Sequence, residues 1–179
     1  MRRQHLEHLI RAAADLTGDT DFVIVGSQAI LGTYPDAPGE LLRSMEADLY
    51  PRNHPEREIE LGVIGDGSVF HDTFGYFADG VGPETAKAPV GCEERLVPVV
   101  VATLRGGATA TGWCLEPHDL VLAKCAARRE RDWAFARTAI QHGLVRGELL
   151  WRRAQDLPLE PHELAYVLQV LGPLVGREG

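Results

Sequence analysis

Phe22-Val-Ile-Val-Gly26-Ser27-Gln28 and, one loop later, Met45-Glu46-Ala47-Asp48-Leu49-Tyr50 decide how this chain is read. The first stretch has the form of a buried strand over about 22–26 that ends in a tight turn and opens a short helix at 27–32. The second, within a strand expected over about 44–50, alternates acids with small or apolar residues. Successive side chains of a strand point to opposite faces, so Glu46 and Asp48 share one face. Neighbouring carboxylates repel unless a cation lies between them. Magnesium suits them, because it takes oxygen ligands and carries substrate phosphates in the same shell. A Gly-Ser turn at a helix start offers backbone N–H groups to phosphate oxygens. Together the two stretches call for a nucleoside triphosphate and a metal ion.

The rest of the chain is compatible with that chemistry. Its 179 residues suffice for one domain, or one domain with a helical extension. No apolar run is long enough to span a membrane. Met1-Arg-Arg-Gln-His-Leu-Glu-His has no apolar signal core, so a cytoplasmic protein is expected. Cys92, Cys114 and Cys125 form no Cys-x-x-Cys pair, which points to reduced thiols and away from structural zinc. A net charge of −8 argues against a general nucleic-acid binder. The basic residues nevertheless cluster, at Lys124, Arg128, Arg129 and Arg131 and again at Arg152 and Arg153. Lys124 stands out because the only other lysine is Lys87.

Leu6, Leu9, Ile10, Ala13 and Leu16 recur at helical spacing and predict a helix over 4–16. Pro51 ends the second strand, and His54–Leu61 suits a short helix. Residues 65–93 are glycine-rich, with Phe70, Phe74, Tyr76 and Phe77 suggesting short strands or an irregular flap. Residues 96–104 form a strand with Pro98 marking an edge or bulge, Gly106-Gly107 turns, and 109–115 return. Helices follow at about 117–127, 129–142, 147–156 and 161–171. The fold class is therefore α/β (α+β), with a mixed sheet in a core over 1–116. A helical C-terminal part, 117–179, packs on it, or the whole is a single domain. Leu115-Glu-Pro-His-Asp-Leu120 and Leu159-Glu-Pro-His-Glu-Leu164 read as two similar helix starts, with Pro near the first position and an acid in the first turn.

Gly-Ser followed by acid-x-acid on the next strand resembles the polymerase-β-type nucleotidyltransferase core. The ordered set "Gly26-Ser-Gln-Ala-Ile-Leu-Gly32", "Ser44-Met-Glu-Ala-Asp-Leu-Tyr-Pro51", "Phe70-His-Asp-Thr-Phe-Gly-Tyr", "Cys114-Leu-Glu-Pro-His-Asp-Leu" and "Ala123-Lys-Cys-Ala-Ala-Arg-Arg-Glu-Arg-Asp132" resembles the DUF6036 group more closely, over about 20–140. That group is related to the AbiEii and MenT toxins. The resemblance implies that Gly26 and Ser27 hold a triphosphate and that Glu46 and Asp48 bind Mg2+. It also matches Lys124, Arg129 and Asp132 to later motif positions. MenT-type members transfer a nucleoside monophosphate, often from CTP, to the tRNA 3′ end, so a tRNA acceptor and a cognate antitoxin are implied partners. In three respects the sequence departs from the pattern. The first metal acid is Glu46 rather than Asp, and the gap from Ser27 to Glu46 is long. The strands at 96–104 and 109–115 carry no acid, which leaves Asp132 or Glu116 to supply a third carboxylate.

Some residues have two readings. Ser27 contacts phosphate or caps the helix after the strand. Lys124, Arg128 and Asp132 stand at i, i+4 and i+8. On a continuous helix they share a face, either with Lys124 at the γ-phosphate or leaving pyrophosphate or as a solvated ion-pair ladder. His71 is a candidate for stacking on a base, whereas His118 and His162 read as structural. The leading expectation is a toxin nucleotidyltransferase acting on tRNA. Transfer to a protein or small molecule, or a degenerate binding module, are the alternatives.

Overall fold

The computed structural model describes residues 1–104 and 106–177. They divide into two compact units, Met1–Thr85 with Leu96–Leu115, and Ala86–Arg95 with the chain from Glu116 onward.

The first unit is built on a five-stranded mixed sheet in the order β3-β2-β1-β5-β4. Its strands are β1 (Asp21–Ile24), β2 (Glu46–Pro51), β3 (Phe77–Gly80), β4 (Val97–Ala102) and β5 (Thr109–Cys114). β1 runs antiparallel to β2 and parallel to β5, β2 parallel to β3, and β4 antiparallel to β5. Pro98 lies on β4, an edge strand, where its missing N–H removes no ladder bond from a neighbour on the open side.

Helix α1 (Arg3–Thr17) covers one face and packs against β4 and β5. Leu6, Leu9, Ile10 and Ala13 of its apolar stripe are fully buried. Leu16 is not: it is 37% exposed, and Thr17 is buried in the last turn instead. The helix ends at Gly18, whose left-handed φ of 79° lets its N–H reach Ala14 O. Where α1 crosses β5 the sheet needs Gly112. A Cβ there would stand 2.4 Å from Ile10 Cδ1 and 2.7 Å from Ile24 Cδ1, both on fully buried side chains. Gly112→Ala should therefore overpack this contact and destabilise the protein by about 1–3 kcal/mol. A urea midpoint equal to wild type would show that α1 has room to shift.

The glycine-rich stretch resolves into α2 (Val69–Phe74), a helix where short strands or a flap were expected, and β3, one short strand. Ser68 caps α2 by accepting from His71 N, and Gly75 ends it. The segments after the first and second strands are 3-10 rather than α, at Ser27–Gly32 and Pro55–Ile64.

The second unit contains α3 (Pro117–Ala127), α4 (Glu130–Gln141), α5 (Gly147–Ala154) and α6 (Pro161–Leu174), and α3 packs against the other three. The repeated Leu-Glu-Pro-His motifs start α3 and α6, each with Glu as extended N-cap and Pro at the first position. His162 is exposed, whereas His118 is buried. His118 Nε2 accepts from Arg146 N at 2.9 Å, so its proton sits on Nδ1 and is donated to Glu116 Oε1 at 2.6 Å. Arg153 bridges Glu116 and the fully buried Asp119, which also accepts from Arg95 Nε at 2.7 Å. Arg95 and the bond from Val90 N to Asp156 O tie residues 86–95 to this unit.

Burial pushes the Glu116 carboxyl up, but the hydrogen bond from His118 and the hydrogen bond and charge of Arg153 outweigh it and hold it at about 2. A carboxyl depressed in the folded state contributes stability above its ordinary value near 4.5 and loses it as pH falls toward 2. Glu116→Gln should lower the melting temperature at neutral pH and flatten the acid limb in that window. Identical acid profiles for the two proteins would rule out this anchor.

Candidate active site

The Gly-Ser turn and the second strand meet as the alternation requires. Val25 N donates to Asp48 O at 3.0 Å, extending the β1–β2 pairing to the turn itself. The Asp48 carboxylate then lies against Gly26. A Cβ on residue 26 would be 1.4 Å from Asp48 Oδ2 and 2.4 Å from its Cγ. Gly26 has φ −79° and ψ −168°, which any residue adopts, so glycine is required here for close approach and not for backbone freedom. Gly26 is also the N-cap of the following 3-10 helix, with no side-chain cap bond. The capping role weighed for Ser27 therefore does not hold: Ser27 is the first residue inside that helix, half-buried beside Asp48's neighbour.

Glu46 and Asp48 lie on the face of β2 opposite the buried Ala47 and Leu49. The parallel register pairs Glu46 with Phe77, Ala47 with Ala78 and Asp48 with Asp79. Directly paired residues project to one side of a sheet. The strand pair thus presents three acids, Glu46, Asp48 and Asp79, with Phe77 beside them. Partial burial, then the charges of Glu46 and Asp66, raise the Asp79 carboxyl above its ordinary value.

Asp79 is a further candidate for the third carboxylate, beside Asp48 in the register. β4 and β5 carry no acid. Glu116 is committed to His118 and Arg153, and Asp132 to two cations of its own unit. Sequence reading missed Asp79 because β3 has only four residues, the last of them Gly80, in a glycine-rich stretch. One signal was present: Ala78-Asp79 repeats the Ala47-Asp48 alternation.

Carboxylate oxygens on one face, one of them raised first by partial burial and then by its acidic neighbours, form a donor set suited to a hard divalent cation. Among the described residues no three His, Cys, Asp or Glu side chains are gathered tightly enough to enclose a metal ion. The fit is therefore one of donor chemistry and register. Rotation of exposed carboxylates is what would bring them onto a cation.

In the helical unit, Lys124, Arg128 and Asp132 do not lie on a continuous helix. Arg128 has φ 59°, left-handed, and ends α3; α4 begins at Glu130. The break still brings Lys124 Nζ to 3.4 Å from Asp132 Oδ1, while Arg129 Nε donates to Asp132 Oδ2 at 2.5 Å. Asp132 is 2% exposed, so this is a buried anion held by two cations and not a solvated ladder. Arg128 turns away to Glu163 on α6, at 2.6 Å.

A family described as "Nucleotidyltransferase of unknown function (DUF6036)" matches residues 4–169. The chain belongs to that family. It is a nucleotidyltransferase, and nucleoside triphosphates are the substrates of such enzymes. No curated protein and no solved structure matches the chain.

Other reactive groups in this DUF6036 nucleotidyltransferase have structural surroundings. Burial pushes the Cys114 and Cys125 thiols up to about 12, which leaves them poor nucleophiles. Trp133 is buried in α4, and Trp113 bonds Asp21 through Nε1 under the Arg52 guanidinium. No helix among the described residues is long and apolar enough to cross a membrane.

Proposed function

We propose that this protein is a Mg2+-dependent nucleotidyltransferase of the cytoplasm that moves a nucleoside monophosphate, with CTP as donor, onto the 3′ end of tRNA. It would act as the toxin of a toxin–antitoxin pair held in check by a cognate antitoxin protein. The observation that carries the chemistry is the register that sets Asp79 beside Asp48, with the Asp48 carboxylate seated on Gly26. The tRNA, CTP and toxin parts rest on the resemblance to the MenT group.

Glu46, Asp48 and Asp79 would hold magnesium, which when bound offsets the charge of the triphosphate at the reacting phosphorus. Gly26 and Ser27 hold the triphosphate by backbone N–H groups, the close approach being possible because residue 26 has no side chain. The acceptor 3′-oxygen forms a bond to the α-phosphorus, the bond to pyrophosphate breaks, and the hydroxyl proton leaves the attacking oxygen. Asp79, set beside Asp48 by the β2–β3 register, is the carboxylate that would receive it. Lys124 at the departing pyrophosphate and Arg129 at the nucleotide are roles that rest on the resemblance alone; within its own unit Asp132 holds both cations.

Periodate oxidation of tRNA, which destroys the 3′-terminal diol, tests the acceptor. Labelled nucleotide should enter intact tRNA and fail to enter oxidised tRNA. The net charge of −8 favours a second reading, in which the acceptor is a protein or small solute. Label migrating with protein or small solutes and absent from RNA would select it. Asp79, if it serves as the third acid, weighs against the degenerate reading, which nucleotide binding without product on any acceptor would select.

A further inference from the structure

Beside the three acids the same face carries an aromatic pair. Phe77 stands opposite Glu46 in the register, and its ring centroid is 4.5 Å from that of His71, at an interplanar angle of 50°. Both rings are only partly covered. His71 belongs to α2, whose N-terminus is fixed by the Ser68 cap onto His71 N. Its ring is held on one side: Nδ1 accepts from Gly67 N at 3.2 Å and lies 3.1 Å from Asp66 Oδ1. Nδ1 cannot serve both at once. A bare Nδ1 accepts from Gly67, and an Nδ1 that carries hydrogen donates to Asp66. In either arrangement Nε2 makes no hydrogen bond among the described residues.

We propose that Phe77 and His71 form the nucleobase subsite, stacking on the heterocycle of the donor nucleotide while His71 Nε2 faces its polar edge. This rests on the reading of Glu46, Asp48 and Asp79 as the metal and triphosphate site. A nucleotide anchored there through phosphate has its base one ribose away, and Phe77 is two residue pairs along the same strands from Asp48 and Asp79, the next pair on that face. The other aromatics nearby are committed elsewhere: Tyr76 stacks on His5 at 4.3 Å and bonds His8, and Phe70 and Phe74 contact His8. Ring faces bind any base, because every base has a π face, and selectivity comes from the hydrogen-bonding edge. His71 is therefore the residue that sets base preference, and Phe77 the one that supplies affinity.

Calorimetric titration in Mg2+ separates base from phosphate. Wild type, His71→Ala, Phe77→Leu and Phe77→Tyr are each titrated with the four ribonucleoside triphosphates and with inorganic tripolyphosphate, after circular dichroism confirms folding. His71→Ala and Phe77→Leu should weaken the preferred nucleotide about tenfold, leave tripolyphosphate unchanged and narrow the spread among bases, with Phe77→Tyr close to wild type. Unchanged nucleotide binding, equal losses for nucleotide and tripolyphosphate, or wild type binding both ligands equally would each overturn the subsite. His71→Ala carries the test alone if Phe77→Leu does not fold. Wild type that binds neither ligand would overturn the phosphate site itself, a different failure from loss of base contacts.

Discussion

Asp48→Asn is expected to reduce nucleotide transfer roughly a thousandfold while leaving the fold intact. The substitution keeps the shape of a half-buried side chain on a strand whose other face carries the packing. It removes one of three acids that the β2–β3 register sets side by side. Asp79→Asn should cost about a hundredfold or more, the usual size of a general-base contribution, and should also alter stability in an informative direction. A carboxyl raised in the folded state contributes stability at low pH that is lost as pH rises through its folded value. At neutral pH Asp79 is thus a source of repulsion, and Asp79→Asn should melt at or slightly above the wild-type temperature. Mg2+ should reverse the balance by binding the folded state, raising the melting temperature of wild type more than that of either variant. Equal Mg2+ shifts in all three proteins would remove the acids from the metal site. Loss of activity with loss of stability would mark Asp79 as a structural residue.

Gly26→Ala is the second substitution with a large expected effect, about a hundredfold in kcat, because a displacement of about an ångström at a reacting group costs that much. The added Cβ would overlap Asp48 Oδ2 at 1.4 Å, and Asp48 Cβ at 3.0 Å leaves the side chain little room to slide back. The carboxylate must rotate away from the turn. Alanine adopts the local φ and ψ without strain, so melting should be nearly unchanged. Kinetics with Gly26→Ala therefore separate the placement of Asp48 from the stability of the turn. Full activity would show that Asp48 acts from some other rotamer.

The two halves of the acidic site differ in how plainly the sequence carries them. Glu46-Ala47-Asp48 alternates on a strand long enough to be recognised, between a loop and Pro51. Asp79 lies on a strand whose four residues are bounded by glycine-rich turns, and only pairing with β2 makes it extended. Its position depends on a tertiary contact, which local pattern does not encode. The Lys124–Asp132 pairing shows the converse. Spacing of i and i+8 suggested one helix face, but Arg128 breaks the helix in a left-handed conformation that glycine or asparagine would have announced. The two side chains meet because α4 folds back along α3, so the pairing arises by a route that periodicity did not indicate. Helices α1 and α3 to α6 were legible from their apolar residues, helped by the Glu-Pro starts of α3 and α6 and the glycine stop of α1.

The most direct measurement incubates purified protein with Mg2+, each α-labelled ribonucleoside triphosphate in turn, and total cellular RNA, beside an Asp48→Ala control. The account predicts label on tRNA-sized RNA with one nucleotide, CTP, and none with the control. Label that persists in Asp48→Ala, or wild type that releases no pyrophosphate with any nucleotide in the presence of RNA, protein extract or small solutes, would contradict it.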